Sequence, residues 1–196
     1  MFRDINAEIY RFLILLCGLI ICGLMITGCL KDVTDPVDDS GHEPITTLSL
    51  LFYQEDELVG EAVFDDPDGP GGNDPVRFDT IFLQASQTYD VRISLADKTK
   101  DPPVDMTPVI RQAGHQHLFF FVPEGISDLQ ITITDYDRLG YPLGLETTWQ
   151  AGHQAPQAGK LRVMLRHIAF GKSPNSLPTA GHSDIQVDFP LIISEN

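Results

Sequence analysis

Thr88-Tyr89-Asp90-Val91-Arg92-Ile93-Ser94-Leu95 decides the fold. Apolar and polar residues alternate, so Tyr89, Val91, Ile93 and Leu95 share one face of an extended chain and the polar residues take the other. The same period of two recurs on both sides. Thr47 to Tyr53 reads as a strand and Glu57 to Phe64 as its neighbour, with Gln54-Glu55-Asp56 as the turn. Arg77 to Leu83 reads as the hairpin partner of Thr88–Leu95. Leu118 to Val122 is a continuous apolar run suited to a strand covered on both faces. Leu129 to Thr134, Lys160 to Ile168 and Asp184 to Ile193 complete the set. Helical periodicity is confined to one short segment, with Thr107 as cap, Pro108 at the first position and Gly114 as the stop. Strands at this spacing, with turn residues between them, predict an all-β fold: a single antiparallel, Ig-like β-sandwich over residues 46–196.

Before this domain the chain changes character twice. Phe12–Gly28 is an almost wholly apolar stretch of 17 residues, preceded by Arg3 and Arg11 and ending Ile26-Thr27-Gly28-Cys29. This is the layout of a bacterial lipoprotein signal peptide over residues 1–28, with Cys29 as the lipid-bearing first residue of the mature chain. The alternative is an uncleaved anchor at the short edge of what spans a bilayer. Both place the remainder outside the cytoplasm. Residues 29–45 are acidic and rich in Asp, Pro, Ser and Gly, and read as a flexible tether. Lys31-Asp32 and Asp38-Asp39 are either a sorting signal or a solvated spacer. The expected location is the outer membrane, through lipid such as palmitate on Cys29, facing the periplasm or the cell exterior.

The three cysteines are Cys17, Cys22 and Cys29, so the domain has no disulfide, thiolate metal site or cysteine nucleophile. Its core alone must hold it, and about 150 residues suffice for one. The formal charge is −15. The leader carries two basic and two acidic residues, so its removal leaves that charge unchanged. Such a surface repels nucleic acid and favours cations and basic partners.

Two loops present paired carboxylates. Asp65 to Pro75 holds Asp66, Asp68 and Gly71, and ends against Arg77. Asp135 to Glu146 places Asp135, Asp137, Gly140 and Glu146 at positions 1, 3, 6 and 12 of a calcium-loop spacing, with Leu139 where position 5 needs oxygen. Calcium binding and simple acidic turns are the competing readings. His115-Gln116-His117 offers imidazole to zinc, copper or nickel, and His167, at the end of Leu161-Val163-Leu165-His167, is the candidate third ligand. The competing reading is a pair of edge histidines capping the aromatic strand. His153 and His182 read as loop residues. Ser183 between His182 and Asp184 is sequence adjacency, which does not make a triad. Trp149 is expected in the core or at a sandwich edge. No nucleophile elbow, zinc-protease helix or glycine-rich phosphate loop occurs.

Phe64-Asp65-Asp66-Pro67-Asp68-Gly69-Pro70-Gly71-Gly72, His115-Gln116, Thr134-Asp135-Tyr136-Asp137 and Pro142 to Trp149 together resemble a family of small Bacteroidota lipoproteins. The resemblance covers most of Thr46–Ile193. Members are often labelled type 1 periplasmic binding fold proteins, and the resemblance implies an accessory role beside TonB-dependent outer-membrane receptors. The label implies two α/β lobes, whereas the residues give strands. Relatives carry an acidic helix before the His-Gln pair. Here Val109-Ile110-Arg111-Gln112-Ala113-Gly114 has no acid, which weakens metal binding at His115.

The expected function is a non-catalytic binding or accessory module that takes a cation or a protein partner for an uptake system. The alternatives are a structural or adhesive surface module, a periplasmic solute-binding protein as the label suggests, and a small hydrolase.

Overall fold

The computed structural model describes residues 44–153 and 155–195. The leader, Cys29 and nearly all of the tether lie outside the described residues. Among these, no helix is long and apolar enough to cross a membrane.

The described chain is an all-β sandwich of two sheets. Its strands are β1 (Thr47–Gln54), β2 (Glu57–Asp65), β3 (Arg77–Phe78), β4 (Ile81–Gln84), β5 (Thr88–Asp97), β6 (Val104–Asp105), β7 (His117–Glu124), β8 (Leu129–Ile133), β9 (Glu146–Ala151), β10 (Gln157–His167) and β11 (His182–Ser194). One short helix, α1 (Thr107–Gln112), links β6 to β7. The larger sheet runs β3-β2-β1-β5-β9-β8, with β6 also on β5, and the smaller runs β4-β11-β10-β7. The two-lobed α/β architecture of the family label is not the fold of this chain.

Alternation builds the core. β5 buries Tyr89, Val91, Ile93 and Leu95 and exposes the residues between them as far as Ser94. Leu161, Val163 and Leu165 of β10 and Ile185, Val187, Phe189, Leu191 and Ile193 of β11 face them from the smaller sheet. Trp149 is fully buried, packs edge-on to Phe52 and Phe121, and donates its indole N–H to Thr147 Oγ1 at 2.7 Å. Burying a ring of this size contributes several kcal/mol before conformational entropy is counted.

Three expectations are corrected. Arg77–Leu83 is not one strand paired with Thr88–Leu95. The chain changes sheets at Asp79-Thr80, where Asp79 accepts from Val63 N–H through Oδ2 and donates its own N–H to Val63 O. That exchange ties Asp79 to β2 and releases β4 to the other sheet, where it pairs with β11 in parallel, so the sandwich is not wholly antiparallel. Thr107 does not cap α1. Met106 occupies the N-cap, and the Thr107 hydroxyl accepts from Leu95 N–H on β5 at 2.9 Å. β7 is fully covered only at its start, through Phe119, and Phe120 to Glu124 are half-buried.

Candidate metal centre

The ends of β7, β10 and β11 bring three histidines into one row. His117 lies opposite His167 across β7 and β10, and His167 lies opposite His182 across β10 and β11. Directly opposed residues put their side chains on the same sheet face, with Cβ atoms about 4.5–5.5 Å apart. The face is the inner one, since His167 continues Leu161, Val163 and Leu165, and His117 precedes Phe119 by two. The rings of His117 and His167 sit 4.7 Å apart between centroids.

A β-bulge adds the carboxylate. Leu165 pairs with Ile185 and Arg166 with Ser183, which leaves Asp184 as the extra residue on β11. Strict alternation from Ile185 would turn Asp184 outward, but the bulge puts both on the core side. The Asp184 side chain is fully covered, and its Oδ2 lies 3.3 Å from His117 Nε2, which is also fully covered. His117, His167 and Asp184 each offer a ligand atom, all within 4.8 Å of one another.

The hydrogen-bond pattern fixes the chemistry of this cluster. His117 Nδ1 sits 3.0 Å from Ala113 O, and a carbonyl only accepts, so Nδ1 carries the proton. Nε2 therefore holds either a lone pair or a second proton where it faces Asp184. A lone pair against a carboxylate oxygen is repulsive, so this arrangement suits either a proton or a cation between the two atoms. A proton gives a short, charge-assisted contact of about 2.7–2.9 Å. Ligand atoms about 2.0–2.2 Å from a tetrahedral zinc ion stand about 3.3–3.5 Å apart. The observed 3.3 Å matches the metal spacing. A ligating imidazole that donates its other N–H to a backbone carbonyl is the usual support for such a ligand. His167 Nδ1 is buried without a hydrogen-bond partner.

The chain after β10 straps the site. Gln116 donates through Nε2 to Ala169 O at 2.8 Å, and Ile168 and Lys172 return their N–H groups to Gln116 O and His115 O. Lys172 then turns inward. Its fully buried ammonium donates to His117 O at 2.8 Å and to Pro142 O, and pairs with Asp137 Oδ2 at 3.3 Å. Burial pushes Lys172 below its ordinary range, against the pull of the Asp137 charge. Burial also pushes the Asp137 carboxyl up, but the N–H groups of Tyr141 and Leu139 and the Lys172 charge hold it below the usual carboxylate range.

The expected ligands divide accordingly. His117 and His167 come together, and His115 is not in the cluster. His115 precedes β7 in a turn, so it does not alternate with His117, and its carbonyl serves the strap. In the second acidic loop each carboxylate already has partners within the protein. Asp135 accepts from Gly144 and Leu145 N–H, Asp137 from Leu139 and Tyr141 N–H and from Lys172, and Glu146 from Arg111 at 2.9 Å. In the first loop Asp68 accepts from the Asn73 backbone and side chain, and these bonds lower its pKa. Asp66 is buried with Oδ1 unpartnered, and burial, then the Asp68 charge, raises its pKa. The loops open at the same end of the larger sheet but at opposite edges, three to five strand spacings apart. That is about 14–24 Å, too far to share one ion.

Asp184 was missed because alternation alone turns it outward, and His182 because Gly181 reads as loop. The available signal was His182-Ser183-Asp184 at the head of a strand, where residues i and i+2 share a face.

No family model and no curated protein matches the chain. One solved structure is similar over part of it: a nucleoside hydrolase-related hypothetical protein from Saccharophagus degradans that is associated with carbohydrate metabolism. It is 12% identical, with a TM-score of 0.28, and the match covers 63% of this chain and 24% of that one. This chain therefore spans about a quarter of that protein, and a likeness at this level carries no argument about function.

Proposed function

We propose that the protein is a lipid-anchored, extracytoplasmic binding module that takes one divalent transition-metal ion, of the zinc class, at His117, His167 and Asp184. The observation that carries this is the 3.3 Å approach of His117 Nε2 to Asp184 Oδ2, with Nδ1 committed to Ala113 O. Imidazole and carboxylate donors without thiolate suit zinc, cobalt or nickel rather than the hard cations of an all-oxygen site. His117 and the Asp184 carboxylate are covered by protein, which favours binding over catalysis. Anchorage through Cys29 rests on the leader, and a place beside a TonB-dependent receptor rests on the family resemblance.

The test is thermal unfolding of the detergent-solubilised full chain with zinc, with calcium and with a chelator. Zinc at a hundredfold excess over Kd should stabilise the folded state by about 2.7 kcal/mol, and calcium should not. The shift should fade in acid, because protonated ligands release the ion. If zinc and chelator give the same midpoint, the metal reading is wrong and the cluster is an imidazolium–carboxylate pair.

A further inference from the structure

His117, His167 and Asp184 supply three ligands, and a zinc-class ion takes four. We infer that His182 is the fourth, so that the centre is a three-imidazole, one-carboxylate site whose last ligand faces solvent. This rests on the reading of the cluster as a metal site.

Two backbone relations put His182 on the face of the cluster, although its ring lies outside the 4.8 Å group formed by His117, His167 and Asp184. Across the sheet it lies opposite His167, as His117 does from the other side, so the three imidazoles leave the same face. Along its own strand it stands two residues before Asp184, which puts it on the Asp184 side. The backbone is held to this placement. Arg166 donates to Ala180 O at 2.9 Å and to Gly181 O at 2.7 Å, fixing the path into β11. Gly181 has φ +64, and a Cβ there would lie 1.9 Å from His167 O. Only glycine allows the chain to pass this close to His167 immediately before His182.

Burial separates His182 from the other ligands. His117 is buried, His167 and Asp184 are intermediate, and His182 is exposed. His182 is then the group an arriving ion meets first, and the group a chelating partner displaces first. Three imidazoles also shift selectivity further from calcium, magnesium and manganese toward zinc and cobalt.

Cobalt(II) chloride is the probe, because its visible absorption is intense in tetrahedral sites and weak in five- or six-coordinate ones. Titrated into the detergent-solubilised full chain, it should give the intense bands with one equivalent bound. His182→Ala should weaken cobalt binding by at least about tenfold, the order of loss seen when a metal site's supporting groups are removed, and should shift the positions of the bands as the imidazole is replaced. His153→Ala is the control, since His153 bonds Ser86 at the far end of the sandwich, and it should change neither quantity. Because His182 is exposed, its loss should leave the folded state intact, which circular dichroism checks. Unchanged affinity and spectrum in His182→Ala, with wild-type binding intact, would overturn the fourth-ligand assignment alone. Absence of cobalt binding to the wild-type chain would overturn the metal reading, and this assignment with it.

Discussion

Two acidic loops leave the same end of the larger sheet, one at each edge, and their sequences look alike. In residues 134–146 the carboxylates are wired inward, to backbone N–H groups, to Arg111 and to the buried Lys172, which also holds the His117 carbonyl. In residues 65–76 Asp66 and Asp68 face each other, and Asp66 is pushed up by burial and by its neighbour. The difference lies in where the counter-charge comes from. The second loop borrows Lys172 from a segment far along the chain and becomes part of the wall of the candidate centre. In the first loop Lys98 goes to Asp65, and Arg77 to Glu61 and Asp79, so neither cation is paired with Asp66 or Asp68. Composition alone does not separate a loop that buttresses a site from one that stores repulsion.

Removing Lys172 should break this contrast most severely. Lys172→Met leaves Asp137 buried without its cation and should cost about 3–5 kcal/mol in denaturant unfolding. Adding Asp137→Asn to it should restore part of that loss, whereas two independent losses would simply sum. Asp135→Asn is next. It keeps the shape but removes the charge that accepts from Gly144 and Leu145 N–H, and should cost about 1–3 kcal/mol. The smallest effect has the opposite sign. Asp66→Asn should stabilise by up to about 1 kcal/mol at pH 7, since it removes a carboxylate that folding disfavours.

The pH dependence sharpens the same comparison. The folded-state pKa of Asp137 lies below its ordinary value, so its contribution is present above about pH 4 and lost as pH falls. That of Asp66 lies above, so its ionisation costs stability at neutral pH, and the gain from Asp66→Asn should vanish below about pH 4. Stability curves of Asp66→Asn and of Asp137→Asn alone should therefore diverge from wild type in opposite directions above about pH 4. Parallel curves would mean that the two loops are electrostatically equivalent after all.

Much of the sandwich was legible because a strand's face is decided by neighbours two apart. Tyr89, Val91, Ile93 and Leu95 need no distant information to declare their side. What escaped depends on partners far along the chain. The break at Asp79 follows from its bonds to Val63, the bulge at Asp184 from its register with Leu165, and the role of Asp137 from Lys172. His117 and His167 were found from their strand ends, but their juxtaposition needed the pairing of β7 with β10.

The parallel pairing of β4 with β11 sets a timetable for assembly. β11 ends at Ser194 and, among the described residues, alone joins β4 to the rest of the smaller sheet. Contacts between segments so distant in sequence form slowly, because the chain between them must first be closed into a loop. A chain emerging from a membrane N-terminus first would carry β4 without its sheet partner and the β11-side edge of β10 unpaired until β11 had passed. The same last strand brings Asp184 and His182. On the proposed export and metal binding, metal capture would follow translocation, and the ion would be gathered from the compartment of arrival rather than carried across.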